Sequence, residues 1–309
     1  MVGINSSKTR LAYVPEVTWG TTPATPAFKN LRFTGEGLNA DKETVTSNEI
    51  RPDRNVSDVI QVGRSAAGNI NAEFSYGTFD ALFESALGGA FATDVLKNGI
   101  LQKAMTFEKT FKKADGSSVF HRFPGAVVNT MQLSVTSKQT IGLVFNVMSK
   151  GVAAATTAIT GATYADANSN TVLSAATDFA SLTMPELSSV PIIKGLTINT
   201  TNNLRQQDGV GSIDSYGIGD GRFEVTGSLN AYFEGGGLYD AFIDHSALSL
   251  SFTLGTAAGS RYTVVLPKVK ITSGTITAGG NDQEVMADLN FQALYADGIA
   301  ATMQITRAV

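Results

Sequence analysis

Cysteine is absent from this 309-residue chain. That absence excludes disulfide frameworks, thiolate zinc sites, iron–sulfur ligation and thiol catalysis. Histidine is nearly absent too: His121 and His245 are the only two. They are far apart in sequence, so the close His spacing of zinc sites is missing. Charge is sparse, at 16% against roughly 25% in an average domain. The net charge of −4 lacks the basic excess of a nucleic-acid binder. No run approaches the roughly 20 apolar residues of a membrane helix. Met1–Arg10 has no apolar stretch, so a secretory signal is not expected.

Catalytic motifs are missing as well. There is no phosphate-binding P-loop, no dinucleotide fingerprint and no G-x-S-x-G nucleophile elbow. Gly63 to Gly68 has the wrong spacing for that elbow. Asp166, Asn168 and Asn170 resemble the opening of a calcium loop, but Thr171 stands where a Gly is needed and Thr177 where a Glu is needed. They read as turn composition. Asn55-Val56-Ser57 fits a glycosylation acceptor, which carries little weight without a secretory signal. Neither an enzyme nor a cofactor is expected.

What is present is a repeat. GNINAEFSYGTFDALFE at 68–84 returns as GSLNAYFEGGGLYDAFID at 227–244. With Gly237 inserted, Gly68, Asn71, Ala72, Phe74, Gly77, Asp80 and Ala81 match Gly227, Asn230, Ala231, Phe233, Gly236, Asp240 and Ala241. The spacing is half a chain, too long for a solenoid repeat of about 20–50 residues. It predicts two tandem copies of one domain, with boundaries at 1–155 and 156–309. Each copy opens with a period-2 strand: Ile70, Ala72 and Phe74 in one, Val225, Leu229, Ala231 and Phe233 in the other. A glycine turn follows, and then helical periodicity. Phe79, Leu82, Phe83 and Ala86 form the first apolar stripe; Tyr239, Phe242 and Ile243 form the second. Thr78 is the expected helix N-cap, and Asp80 and Asp240 suit the dipole of the first turn. Leu87-Gly88-Gly89 should end the first helix.

Further strands are expected at 127–136, 141–148, 194–201, 262–272 and 285–294, with a hairpin turn at Asp115-Gly116. Residues 151–190, rich in Ala, Thr and Ser, read as a bridge with room for strands. The fold class is thus mainly β: two tandem β-sandwich or barrel domains, each with one short flanking α-helix.

Two long polar segments, 35–64 and 200–222, precede the repeated strands. Long loops in compact domains are usually functional; a solvated hairpin is the plainer reading. Residues 1–150 carry a formal +3 and residues 151–309 a formal −7. Like domains of opposite sign would favour contact of first with second around a ring, although surface drift gives the same totals. Trp19, the single Trp, lies on a proline-bearing extended stretch. It either anchors a partner or packs on its own domain.

Tyr13-Val14-Pro15-Glu16-Val17-Thr18-Trp19-Gly20-Thr21-Thr22-Pro23 resembles the opening of tail tube proteins of long, non-contractile-tailed bacteriophages. So does Asn48 to Arg54 followed by Ser75-Tyr76-Gly77-Thr78-Phe79-Asp80. The resemblance covers residues 10–90 and continues through the second strand–Gly–helix unit. It implies a β-sandwich with a flanking helix, assembled into rings that stack as a hollow tube. It implies a place in the virion tail, assembly in the host cytoplasm, and a tube built around a tape-measure protein. Tail terminator and distal tail or baseplate proteins are the other implied partners. Double-stranded DNA would pass through without being held, and no membrane contact is implied. Family members usually carry one tube domain and form six-membered rings. Two domains per chain instead predict a trimeric ring with pseudo-sixfold symmetry, with the hexamer as alternative. Trp19, Arg51, Asp53, Arg54, Arg64, Arg205 and Asp208 are the candidate contacts between subunits or rings. A β-sandwich adhesin or carbohydrate-binding module is the runner-up.

Overall fold

A computed structural model describes residues 3–308. Strands dominate, and two short α-helices are present among the described residues. The first half runs β1 (Thr9–Pro15), β2 (Ala27–Asn30), β3 (Gly35–Glu36), β4 (Asn39–Thr46), β5 (Val59–Glu73), α1 (Asp80–Leu87), β6 (Val95–Lys97), β7 (Met105–Lys112), β8 (Ser118–Thr136), β9 (Gly142–Ser149) and β10 (Ala153–Ala155). Then come β11 (Thr163–Ala165), β12 (Phe179–Thr183), β13 (Ile193–Thr201), β14 (Arg205–Gln207), β15 (Gly217–Gly219) and β16 (Glu224–Tyr232). The chain closes with α2 (Gly237–Ile243), β17 (Leu248–Leu254), β18 (Arg261–Thr277), β19 (Met286–Ala293) and β20 (Gln304–Ala308).

Two long strands organise the packing. β8 pairs through its first half with β7 and β10, and through its second half with β9 and β13. β18 does the same: its first half pairs with β17 and β20, its second half with β19. Each strand therefore belongs to two layers. Pro124 and Pro267 stand where the strands pass from one layer to the other. Proline has no N–H for a ladder and is tolerated at such breaks. A β-bulge follows at the same distance in both, after Val128 and after Ile271. The layer at the front is a single antiparallel sheet in the order β4, β5, β9, β8, β13, β16, β19, β18. The back layers are β2, β1, β7, β8 and β10 under the first half, and β12, β17, β18, β20 and β6 under the second.

Alternation along the front strands drives the packing. Ile70, Ala72 and Phe74 of the first half, and Val225, Leu229 and Ala231 of the second, are buried. Phe74, Phe79, Phe83, Phe145 and Tyr262 interlock as one aromatic cluster that spans both halves. The Tyr262 hydroxyl donates to Asp80 at the start of α1 and accepts from the Gly77 N–H at 3.0 Å. Asp80 also meets Arg307 at 2.6 Å, and Arg307 reaches Asp94 at 2.8 Å. The C-terminal strand is thus fastened to the first helix by charge-assisted bonds.

Several local expectations need correction. Thr78 is not the N-cap: the helix starts one residue later, behind Phe79, and the Thr78 hydroxyl pairs with Ser75 at 2.6 Å. Gly88 does end α1, in the left-handed conformation at φ 60°. The second helical stripe is turned by one position. Leu238 and Ala241 are its buried residues, Tyr239 and Phe242 are half-buried, and Ile243 faces solvent. Phe233 lies past the end of β16 and is exposed. The 151–190 segment is more than a bridge. It carries β10, β11 and β12, and Leu173 inserts between Phe74 and Ile141 through backbone bonds of 2.8 and 2.9 Å. Segments 35–64 and 200–222 are hairpins rather than open loops. The expected strands and the Asp115-Gly116 turn are present.

The matched glycines have a steric reason. A Cβ on Gly68 would lie 2.2 Å from the Gly37 carbonyl oxygen, and one on Gly227 2.5 Å from that of Thr197. On Gly227 the Phe291 ring is closer still, at 2.2 Å, so neither position has room for a side chain. Gly68→Ala and Gly227→Ala should each cost about 1–3 kcal/mol. Gly235→Ala, with open space around it, should be near neutral. Urea unfolding of the three variants checks this.

Candidate assembly surfaces

The β4–β5 hairpin projects from the body. β9 accompanies β5 from Ala66 to Glu73; before Ala66, β5 has β4 as its only named-strand partner. A two-stranded ribbon is marginal in water by itself. Every residue of β4 is exposed. Apolar side chains nevertheless crowd the ribbon and its tip: Ile50 is 98% exposed, and Val45, Val56, Val59 and Ile60 are each more than half exposed. Val62 adds to the same surface. Sequence reasoning singled out the charges of this segment and missed these residues. Their signal was the β-branched run Val59, Ile60 and Val62, whose side chains fall on both faces of the ribbon.

The second hairpin, β14–β15, lies against the first. Arg64 forks onto the Asp214 carboxylate with a second bond of 2.8 Å, and its backbone N–H donates to Ile213 O at 2.8 Å. The two polar segments, far apart in sequence, therefore form one surface. Val210, Ile213 and Tyr216 extend its exposed apolar area. Contiguous apolar patches on an otherwise polar surface mark association sites.

The candidate contact residues fall into three places. Arg51 and Asp53 pair at 2.7 Å on the hairpin tip, and Arg54 stands beside them with φ 62°. The Arg51 bond holds the Asp53 carboxyl well below the usual range, but both groups are in solvent and such pairs contribute little to stability. Arg64, Arg205 and Asp208 belong to the joined hairpins: Arg205 donates to Asp220 O at 3.3 Å, and Asp208 accepts from Ser215 at 2.7 Å. Trp19 lies apart. Its indole N–H donates to Gly125 O at 3.1 Å, Lys150 stands over the ring, and Val127, Leu204 and Ile218 lie beneath. Glu16 fastens the same stretch by accepting from Gly20, Thr106 and Gly125.

The front sheet presents a second surface, almost wholly of uncharged polar side chains. Asn69, Asn146, Gln132, Asn199, Thr226, Ser228, Asn290 and Gln292 share it across successive strands. Its acidic residues are Asp41, Glu43, Glu73, Glu224 and Asp288; its cations are Lys194 at one end, Lys270 on β18, and Arg222, which donates to Glu224 at 2.7 Å. Side-chain bonds run between strands, as from Asn146 to Asn69 at 2.8 Å and Gln132 to Asn199 at 3.0 Å.

The remaining chemical candidates take structural places. His121 packs edge-on against Phe111, and burial, then Lys109, lowers its pKa. His245 is exposed behind α2. Asn168 and Asn170 both donate their amides to Tyr76 O, at 3.0 and 2.8 Å; they bind the 151–190 segment to the β5–α1 turn. No cluster of three or more metal-ligating side chains occurs among the described residues.

A β-rich chain with a polar sheet face and projecting apolar hairpins belongs to the class of self-associating structural proteins. The family can be stated: a family model described as phage tail tube protein matches residues 6–293, and the chain belongs to that family. No curated protein matches it. Membership gives the chain a structural role as a virion tail component that self-assembles into the tail tube with other tail proteins.

Two outcomes follow from these surfaces. Hydrogen bonding to Arg64 lowers the Asp214 pKa. The contribution of this tie to stability is present above the ordinary carboxylate pKa of about 4 and is lost as pH falls through the lowered value. The protection factors of amides at residues 210–216, which discount the intrinsic pH dependence of exchange, should therefore fall as pH drops through the range below about 4, and Arg64→Ala should remove that fall. Replacing Val59, Ile60 and Val62 by Thr should change monomer stability by no more than about 0.5 kcal/mol yet block assembly, as read by light scattering.

Proposed function

We propose that this chain forms rings that stack into the tail tube, with the front sheet lining the bore through which double-stranded DNA reaches the host. The observation that carries this reading is the eight-stranded front sheet, whose outer face is polar and mostly free of cations. Phosphate binding depends on Lys and Arg neutralising backbone charge and releasing counterions. A face of Asn, Gln, Ser and Thr with scattered acids lets a duplex slide. The tape-measure protein would occupy the bore during assembly, and terminator and distal tail or baseplate proteins would cap the ends. Assembly would take place in the host cytoplasm.

The two halves are read as tandem copies divided at 1–155 and 156–309. Supporting this, β1, β5, α1, β7, β8, β9 and β10 have the same pairings as β12, β16, α2, β17, β18, β19 and β20. Each helix packs on the long strand of its own half. Three chains would then supply six like units and twenty-four front strands. Strands about 4.8 Å apart and tilted about 40° close into a bore roughly 50 Å across between backbones. Six chains would make it about twice as wide. The joined hairpins, with Arg51, Asp53, Arg54, Arg64, Arg205 and Asp208, and the stretch around Trp19 are placed at contacts between subunits and rings.

Electron microscopy of the purified chain should show rings or tubes. A stable monomer that binds glycans would overturn the reading in favour of an adhesin-like module. Assembled tubes should bind duplex DNA more weakly than ordinary non-specific binders, whose Kd is about 10⁻⁴–10⁻⁶ M at physiological salt. Tight binding in a titration at that salt would contradict the sliding bore.

A further inference from the structure

In the first half the chain on either side of the β5–β9 ladder splays apart, and Leu173 fills the gap. The Leu173 N–H donates to Phe74 O at 2.8 Å, and its carbonyl accepts from the Ile141 N–H at 2.9 Å. Val172 bridges Ser75 and Ser174 bridges Thr140, both antiparallel. Asn168 and Asn170 add their amide bonds to Tyr76 O. Phe74 and Ile141 are thereby buried, at 2% and 0% exposed.

The second half repeats the gap without the filling. Glu73 faces Gly142 at the end of one ladder, and Tyr232 faces Met286 at the end of the other. One residue further, the Phe74 N–H donates to Ile141 O at 2.8 Å and the Phe233 N–H to Val285 O at 3.0 Å. Phe233 thus stands for Phe74 and Val285 for Ile141. Phe233 O and the Val285 N–H, the counterparts of the groups that hold Leu173, have no partner among the described residues. Phe233 is 37% exposed and Val285 36%. Unmet backbone groups beside bare apolar side chains are a template for an extended segment. A cavity of about 230 Å³ lies alongside, with Leu187, Pro191, Phe233, Leu238 and Tyr239 in its wall.

The rim of this slot is acidic. Glu234 follows Phe233 and lines the cavity, Glu284 precedes Val285, and the Asp240 carboxylate stands against Gly236. On the front side Lys194 shares a groove with Glu284. The segment that fills the first half is unsuited to such a rim, since residues 166–175 hold Asp166 and no Lys or Arg. Ile50, bare on the hairpin tip, stands between Glu49 and Arg51, with Asp53 and Arg54 beyond. Neither segment complements the charge.

We propose that the slot between Phe233 and Val285 binds an extended, basic segment of a partner protein. One aliphatic side chain of that segment sits between Phe233 and Val285. The same residue donates its N–H to Phe233 O and accepts from the Val285 N–H. Lys or Arg on either side meets Glu234 and Glu284. Main-chain bonds then give affinity, and the apolar pocket and flanking charge give selectivity, as in other strand additions. The correspondence of Phe233 with Phe74 rests on the tandem-copy reading above; the binding needs no ring.

Fluorescent peptides test this on the unsubstituted full-length chain before assembly. The probe is the sequence of Asn170 to Ser174 with two lysines added at each end. Its Kd by anisotropy should be at least about tenfold lower than that of the same peptide with Asp in place of Leu, which loses the buried side chain. Flanking glutamates in place of the lysines should weaken it by a similar factor, and rising salt should weaken the basic peptide. At saturation the Val285 amide should exchange at least about tenfold more slowly. Glu234 and Glu284 are exposed, so Glu234→Lys with Glu284→Lys leaves the core untouched and should make the acidic peptide the tighter ligand. Equal binding of all the peptides, or binding without protection of Val285, would overturn the slot. So would protection of Val285 when the pure chain assembles, which would assign the slot to a second copy. No binding by a chain that still forms tubes would overturn the slot and leave the tube reading standing. A tube map in which the two halves fail to superpose would instead overturn the tandem-copy reading.

Discussion

The β8–β13 ladder is the interaction on which the rest of the structure depends. A sheet edge buried without partners leaves backbone donors and acceptors unmet, at a cost comparable to lost hydrogen bonds. Here the inner edges of the two halves satisfy each other, strand to strand. The result is one eight-stranded front sheet and one contiguous core that runs from Leu11 to Ile305. Because β8 also belongs to the back layer, the ladder ties both layers of the first half to the second. β6 on β20, and Arg307 on Asp80, fasten the same junction from behind.

This geometry separates two demands. The front face is broad, polar and short of cations, as the proposed sliding of a duplex would require. In the proposed assembly, adhesion is concentrated in the projecting hairpins, where Ile50, Val56, Val59 and Ile60 are bare in the single chain. Exposed valines and isoleucines on a ribbon with a single named-strand partner are a liability for a monomer and an asset for a subunit. The Arg64–Asp214 fork ties the second hairpin to the base of the first.

Much of this was legible in the residues. Period-2 alternation placed the front strands, and the 68–84 and 227–244 match placed the two strand–helix units. Two glycines of that match, Gly68 and Gly227, have no room for a Cβ, whereas Gly77 serves the turn at φ 71°. Other features left no readable mark. HRFPGAVVNT and TVVLPKVKIT share a bend and a bulge but hardly a residue beyond the proline, since each is shaped by backbone pairing rather than side-chain identity. Arg64 and Asp214 were both noted as charged, but nothing in sequence couples them. The exposed apolar residues of β4 and β5 escaped notice because alternation was read as one buried face, whereas this ribbon buries neither. Thr78 has the composition of a cap, but its hydroxyl is taken by Ser75 at 2.6 Å.

The central claim is that two like units per chain make a six-unit ring from three chains, joined by one continuous front sheet. Symmetry-resolved electron microscopy of a tube cross-section tests it most directly. The account predicts true threefold symmetry with pseudo-sixfold appearance and a backbone bore of roughly 50 Å, from strands about 4.8 Å apart at about 40° tilt. Six whole chains around one ring, or a wall in which the front sheet breaks between chains, would contradict it.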